Sequence, residues 1–248
     1  MSFILSLTRF VRVPRLLGAL LVAGALVLSC VPSGAVTLDL DAKGRTEQDK
    51  DRDAYNKPVE LFEFWGIQEG MTVMDLFPGN GYTTLLLSQA VGSKGKVLAY
   101  ASYDHEDFAK RMKPLGLENV EETVIPYPEG FKTLAGHLSK LPEASLDAVI
   151  TIRNYHDLKN PREVLAELRR VLKPGGILGI ADSRTTTRVG RDIDNCRIAE
   201  DVLIKEVTGA GFKLAGVSQM LSNSKDDYSR AFWDARWIVD QACLKFVR

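Results

Sequence analysis

The most constraining feature of this chain is a rhythm that begins near Met71, in which short apolar runs alternate with amphipathic stretches. Such alternation is typical of strand and helix units stacked around a parallel sheet, because parallel neighbours need a crossover connection. Five of the apolar runs predict strands, over residues 72–76, 96–101, 120–125, 146–152 and 177–181. The chain is therefore expected to have an α/β fold.

The C-terminal part extends this pattern. Residues 212–220 and 241–247 predict two further strands, and the polar segment Asn223–Asp227 between them leaves them free to pair antiparallel. Amphipathic helices are predicted over 161–172 and 198–210. The expected architecture is a Rossmann-like, doubly wound, seven-stranded and mostly parallel sheet with an antiparallel last strand.

The turn after the first strand carries the main chemical signal. In the run VMDLFPGNGYTTLLLSQA, Asp75 ends the strand, and Gly79 and Gly81 precede a helix. Glycine at such a turn lets the backbone pass close to a ligand. A dinucleotide fingerprint would continue to a third glycine or alanine, where this chain has Thr84, so an NAD-dependent oxidoreductase is disfavoured. The run also lacks the lysine of a phosphate-binding P-loop.

Two motifs together suggest a family. The Asp75–Gly81 turn and the later LKPGGIL at Leu172–Leu178 resemble, in order and context, the first motif and the pre-strand-five turn of class I S-adenosylmethionine-dependent methyltransferases. A narrower resemblance, to a group of exported bacterial methyltransferases, rests on three segments: FWGIQEGMTVMDLFPGNGYTT, the NYHDL at Asn154–Leu158, and SNSKDDYSR. The resemblance covers nearly everything after Asn56, so the class I fold is expected there.

The resemblance implies S-adenosylmethionine as cofactor and methyl transfer as the reaction. Asp75 would organise the loop around the amino acid end of the cofactor, and Gly79 and Gly81 would admit its methionine and ribose portions. The full set of expected cofactor-binding residues is Asp75, Phe77, Gly79, Asn80, Gly81, Tyr100, Ser102 and Asn154.

One position departs from the family. Many class I enzymes have an acid at the end of strand two that bonds the ribose hydroxyls, whereas this chain has Tyr100-Ala101-Ser102-Tyr103 there. Either Asp104 or, more weakly, Ser102 is expected to take that role. Tyr100 either stacks on the adenine or belongs to the core.

Candidate catalytic residues follow strand four. His156 is a candidate general base with Asp157 beside it; the alternative is that His156 only braces the loop. The three histidines are dispersed without carboxylate spacing, so no metal site is predicted. Arg184, Arg188 and Arg191 either meet an anionic substrate or form a solvated loop.

The N-terminal segment predicts export. Arginines at 9, 12 and 15 precede an uncharged stretch, Leu16–Val31, and the small residues Ser33-Gly34-Ala35. Cleavage there would leave Val36 first, whereas Val27–Cys30 resembles a lipobox, which would place a lipid on Cys30. Residues 1–35 are therefore expected to be a signal peptide, 36–56 a polar linker or exposed helix, and 57–248 the methyltransferase-like domain. The body is expected in the periplasm, either free or attached to the membrane.

Charge and cysteine content narrow the partners. The 32 basic and 32 acidic residues cancel, so neither nucleic acid nor an anionic membrane surface is an expected partner of the domain. Cys196 and Cys243 are expected to be ordinary buried thiols, with a disulfide as the alternative. The leading function is methyl transfer to a small molecule or envelope component; the alternative is an exported binding protein that keeps the fold without catalysis.

Overall fold

The computed structural model describes residues 35–101, 105–126, 130–186, 190–235 and 238–248. The predicted signal segment with Cys30, and the candidate residues Ser102, Asp104 and Arg188, lie outside the described residues. Within them, no helix combines the length and apolar character that crossing a membrane requires.

A seven-stranded sheet forms the centre of the domain. Its strands are β1 (Thr72–Leu76), β2 (Lys96–Ala101), β3 (Val120–Val124), β4 (Leu146–Ile152), β5 (Leu172–Ser183), β8 (Lys213–Ser218) and β9 (Gln241–Val247), in the order β3-β2-β1-β4-β5-β9-β8. The first five strands pair in parallel, and β9 runs antiparallel to both β5 and β8. A separate small hairpin consists of β6 (Arg191–Asp192) and β7 (Arg197–Ile198). The predicted fold class is confirmed.

Helices cover both faces of the sheet. They are α1 (Glu47–Asn56), α2 (Pro58–Trp65), α3 (Tyr82–Val91), α4 (His105–Met112), α5 (Gly130–Leu138), α6 (Pro161–Val171), α7 (Glu200–Gly209) and α8 (Phe232–Ala235). Successive residues of β1 serve opposite faces: Val73 packs in the cluster formed with α2 and α3, and Met74 in the cluster formed with α5, α6 and α7. Such two-sided burial is what a mostly parallel sheet requires.

Trp65 shows how closely α2 packs on the sheet. Its side chain is fully buried, and its indole N–H donates to the carbonyl of Leu244 over 3.0 Å. A Cβ at Gly179 in β5 would come within 2.7 Å of the Trp65 ring. Glycine at this strand position therefore creates the room for the indole.

Several element boundaries differ from the sequence-based expectation. The run Asn56-Lys57-Pro58 predicts a helix start capped by Asn56. This prediction is wrong, because Asn56 is the last residue of α1, and Lys57, in a left-handed conformation, precedes α2. β5 begins at Leu172 rather than at 177, because Leu172 already pairs with Leu146 across a register shift. The strand expected over 212–220 is shortened to β8.

The segment expected to be a linker belongs to the domain instead. The described residues from 35 onward form one compact unit, and α1 begins with a capping box in which Thr46 and Asp49 bond each other's backbone N–H. Asp49 is 1% exposed because it pairs with Arg111 of α4, and Asp53 pairs with Arg45. Ion pairs thus hold this charged helix against the domain, rather than the apolar face that the sequence lacks.

Candidate active site

A cavity of about 360 Å³ opens at the carboxyl edge of the sheet, where β1 and β4 lie side by side. Ligands of doubly wound folds bind at this edge, and the volume is within the range of small-molecule sites. The lining residues come from α1, the β1–α3 turn, α4, the β4 turn and α8: Arg52, Asn56, Asp75, Phe77, Pro78, Gly79, Asn80, Tyr82, Thr83, Asp107, Ile152, Arg153, Asn154 and Phe232.

Two strained residues shape the cavity walls. Phe77 and Arg153 directly follow β1 and β4, and both have positive φ, 62° and 58°, which is uncommon outside glycine. Asn154 ties the two turns together, since its side-chain amide donates to the carbonyls of Phe77, over 3.1 Å, and Ile152, over 2.7 Å. The three residues direct the turns after β1 and β4 away from the sheet edge, and the cavity lies between these two turns.

Asp75 lies at the cavity wall with almost no exposure. The Thr84 hydroxyl donates to its Oδ2 over 2.7 Å. Burial raises the pKa of Asp75 to about 7, against the opposing effect of the Thr84 hydrogen bond. A buried carboxylate of this kind is stabilised by a ligand that brings positive charge. Thr84, which in the sequence only marks a missing third glycine, is therefore the residue that orients Asp75.

The two glycines of the turn have different roles. Gly79 lines the cavity with φ of 58°, as a close approach of backbone to ligand requires. Gly81 is not among the lining residues; its φ is 87°, and a Cβ there would collide with Met112 and Phe108 of α4. The structure thus places Gly81 at a packing contact that seats α4 against the turn.

Helix α1 supplies a wall that sequence reasoning missed. Arg52 and Asn56 line the cavity, and Asp53 accepts a 2.7 Å hydrogen bond from the hydroxyl of Tyr82, itself a lining residue. The Thr46-x-x-Asp49 capping box was the local signal that a helix begins there.

An acid does reach the cavity from beyond strand two. Asp107, in the first turn of α4, lines the cavity and makes an exposed 3.5 Å ion pair with Lys110. Sequence reasoning looked for the acid at the strand end and stopped at Asp104. Tyr100, by contrast, is buried in the core cluster and does not line the cavity; its carbonyl accepts the N–H of Phe77. Its placement agrees with the core alternative.

His156 lies outside the cavity lining, in a short 3-10 turn after β4. Its Nδ1 is 2.8 Å from Asp182 Oδ1, and its backbone N–H donates to the other oxygen of the same carboxylate over 2.8 Å. Burial opposes the charged imidazolium, but Asp182 and Asp157 together outweigh burial and raise the pKa of His156. Nδ1 of His156 is already bonded to Asp182, and the side chain is not among the residues that line the cavity, so this arrangement favours the loop-bracing alternative over a general base.

Arg184 and Arg191, the two candidate arginines after β5 that the structure describes, both form ion pairs within the protein. Arg184 pairs with Glu200 and Asp240 over 2.6 and 3.0 Å, and Arg191 pairs with Glu206 over 2.6 Å. They form neither a solvated loop nor a free anion site. Both described cysteines are free thiols; Cys243 is buried as expected, whereas Cys196 is only half-buried.

Solved structures share this architecture. A SAM-dependent methyltransferase from Aquifex aeolicus aligns with a TM-score of 0.58 and 25% identity, over 81% of this chain and 96% of that chain. A family model described as "Methyltransferase domain" matches residues 75–180. The fold is that of a class I methyltransferase. A [4+2]-cyclase has the same fold, with a TM-score of 0.58 at 16% identity over 79% of this chain and 80% of that chain.

Curated relatives match about half of the chain. A demethylmenaquinone methyltransferase from Staphylococcus aureus is 32% identical over 115 residues, which is 46% of this chain and 43% of that protein. One of the same name from Listeria welshimeri is 27% identical over 126 residues, half of each chain. The chain thus spans about half the length of these relatives. In domain and fold the chain is similar to S-adenosylmethionine-dependent methyltransferases, and these similarities support S-adenosylmethionine as its cofactor.

Proposed function

We propose that this chain catalyses methyl transfer from S-adenosylmethionine to a small-molecule or envelope acceptor. The observation that carries the proposal is the buried Asp75–Thr84 pair beneath a cavity whose walls are formed by the strained turns at Phe77 and Arg153. Positive-φ residues other than glycine cost free energy and are concentrated at functional sites.

The residues at the cavity fit the proposed cofactor. S-adenosylmethionine has a cationic sulfonium, an α-ammonium group, a ribose diol and an adenine ring, and when bound it supplies an electrophilic methyl group. Asp75 offers a buried carboxylate to the cationic end, and Gly79 offers unobstructed backbone. Asp107 offers the carboxylate that a ribose diol needs, in place of the missing acid after β2.

Asn154 and Phe232 position the remaining walls. Asn154 fixes the spacing of the two turns through its bonds to Phe77 and Ile152, so it holds the cavity open at a constant width. Phe232 lines the cavity with an apolar ring, over which the Arg153 guanidinium lies at 5.5 Å. We assign the methyl acceptor to this aromatic side. A demethylated quinone is the first acceptor to test, because the relatives' names specify demethylmenaquinone.

We also propose that the domain acts outside the cytoplasm. The proposal is supported by the cationic, apolar and small-residue order of residues 9–35 in the sequence. Fractionation of a C-terminally tagged chain tests it: the body is expected outside the cytoplasm, and a full-length cytoplasmic product would contradict it.

Calorimetric titration with S-adenosylmethionine and S-adenosylhomocysteine tests the cofactor assignment. We expect binding to the parent chain, at least tenfold weaker binding to Asp75→Ala, and none to Gly79→Leu, whose side chain would fill the approach to the turn. Glu69→Gln, at an exposed acid that pairs with Lys94, is the matched control and should bind like the parent. The absence of heat with either ligand would overturn the enzyme proposal and leave the non-catalytic binding protein.

A further inference from the structure

A second cluster, made of side chains that can bind a metal ion, lies beside the cavity and has no part in the proposed methyl transfer. His156 and Asp157 of the 3-10 turn meet Cys196 of the β6–β7 hairpin, and one ligand atom from each lies within 4.8 Å of the others. An imidazole nitrogen, a carboxylate oxygen and a thiol sulfur together are a donor set that suits a borderline-soft divalent cation such as Zn²⁺.

The distances fit such an ion. His156 Nε2 lies 3.4 Å from Asp157 Oδ2. Two ligands on Zn²⁺, with bonds of about 2.0–2.2 Å at a tetrahedral angle, stand about 3.3–3.6 Å apart. The thiol of Cys196 makes a weak 3.7 Å contact with the Ile193 carbonyl of its own turn and also interacts with the His156 side chain. Bringing its sulfur to bonding distance therefore breaks no strong interaction.

The buried Nε2 of His156 is a second indication of a metal site. Its Nε2 is inaccessible to solvent and makes no hydrogen bond of good geometry among the described residues, while the side chain is 2% exposed. The opposite nitrogen, Nδ1, is bonded to Asp182 over 2.8 Å. Metal-binding histidines commonly bond a carboxylate in this way, because it fixes the ring and leaves the other nitrogen for the ion.

The fold holds both halves of the cluster together independently of any ion. Arg191, in β6, donates to the carbonyl of His156 over 2.7 Å and pairs with Glu206 over 2.6 Å. This tie anchors the hairpin that carries Cys196 to the turn that carries His156. Glu206 offsets part of the charge of Arg191, and the carboxylates of Asp157 and Asp182 oppose the positive charge of Arg191 and Lys159 near the cluster.

We propose that His156 Nε2, Asp157 and Cys196 bind one divalent transition-metal ion of the Zn²⁺ class, with Asp182 orienting the histidine. Three protein ligands leave a fourth position for water or a further ligand. The ion would clamp the hairpin to the turn that carries Asn154. The Phe232 ring, whose centroid is 6.0 Å from that of His156, also lines the cavity.

Cobalt titration of the full chain tests this site, with Cys30→Ser as background so that the N-terminal thiol cannot contribute. We expect one equivalent of Co²⁺ to give a thiolate-to-metal charge-transfer absorption that Zn²⁺ displaces. Cys196→Ser should abolish the absorption, whereas the matched control Cys243→Ser should keep it. Asp182→Asn, which leaves the three ligands in place, should weaken Co²⁺ binding about 10- to 100-fold, and His137→Gln should leave it unchanged.

The outcomes separate clearly. Absence of the absorption in the parent chain, its survival in Cys196→Ser, or its loss in Cys243→Ser alone would overturn the site. A circular dichroism spectrum of each variant verifies that it folds. The site does not rest on the methyltransferase proposal, because the readout is metal absorption and not turnover.

Discussion

The β1–α3 turn and the region after β5 build their polar contacts in opposite ways. In the turn, Asp75 and its partner Thr84 are nine residues apart and share one sequence motif. After β5, partners are distant in sequence: Arg197 bonds Asp226, 29 residues away, and Arg184 bonds Asp240, 56 residues away. Polar partners within a short motif can be predicted from the sequence. Partners in the second region become apparent only in the folded structure.

The two regions are also expected to serve different purposes. The Arg197–Asp226 pair is buried to 0% and 1% side-chain exposure, with Arg197 also donating to the carbonyls of Arg184 and Arg230. Such a pair holds the C-terminal segments in place. The Asp75 turn instead keeps a costly buried carboxylate facing a cavity. Stability should therefore be sensitive to changes in the second region, and ligand binding to changes in the first.

The largest effect is expected from Asp226→Ala. Removing one partner of a fully buried ion pair leaves Arg197 uncompensated, which costs about 3–5 kcal/mol of unfolding free energy. Urea denaturation measures this loss. The neighbouring Asp227→Asn, at an exposed residue, should change stability by less than about 0.5 kcal/mol. Equal losses of unfolding free energy in the two variants would contradict the stabilising role of the buried Arg197–Asp226 pair.

A second effect, at most comparable in size over the whole pH range, is expected from the ionisation of Asp75. In the folded chain the pKa of Asp75 is raised from 3.8 to about 7, so between these values the folded state holds a proton that the unfolded state has released. Stability attributable to this group therefore falls as pH rises from about 4 to about 7, by at most about 1.4 kcal/mol per pH unit. Unfolding free energies of the parent and of Asp75→Asn across this range should diverge with that slope. Parallel curves would contradict the buried carboxylate.

The smallest effect is expected at the cavity rim. Asp107→Asn should weaken binding of S-adenosylmethionine about fivefold, about 1 kcal/mol, because an exposed hydrogen bond to a carboxylate is lost. Glu106→Gln is a close control, since Glu106 is in the same helical turn and also pairs with Lys110, over 3.9 Å. It should bind within twofold of the parent. Equal weakening would assign the effect to net charge rather than to contact.

Much of the fold was predictable because its strands are bounded apolar runs. β1, β2, β4 and β9 end where the sequence indicates. Helix α1 was not recognised as part of the domain, because ion pairs attach it and the sequence does not show them: Arg111 and Tyr82 lie 62 and 29 residues from their acidic partners.

The candidate site was predictable only in part, for the same reason. Asp75, Phe77, Gly79, Asn80 and Asn154 line the cavity as a motif-based reading expects. Asp107 was not predicted, because whether its side chain lies at the cavity depends on the residue at which α4 begins. The pairing of His156 with Asp182, 26 residues away, depends on the adjacency of β4 and β5, which the sequence does not show.

Hydrogen exchange with and without S-adenosylmethionine tests the central comparison most directly. Ligand in the cavity should slow exchange in peptides covering residues 75–84 and 152–155, and in α1 through Arg52 and Asn56. Peptides covering 191–198 should exchange at the same rate in both states. Unchanged exchange in 75–84, or protection confined to the region after β5, would contradict the assignment of the cofactor to the β1–β4 edge.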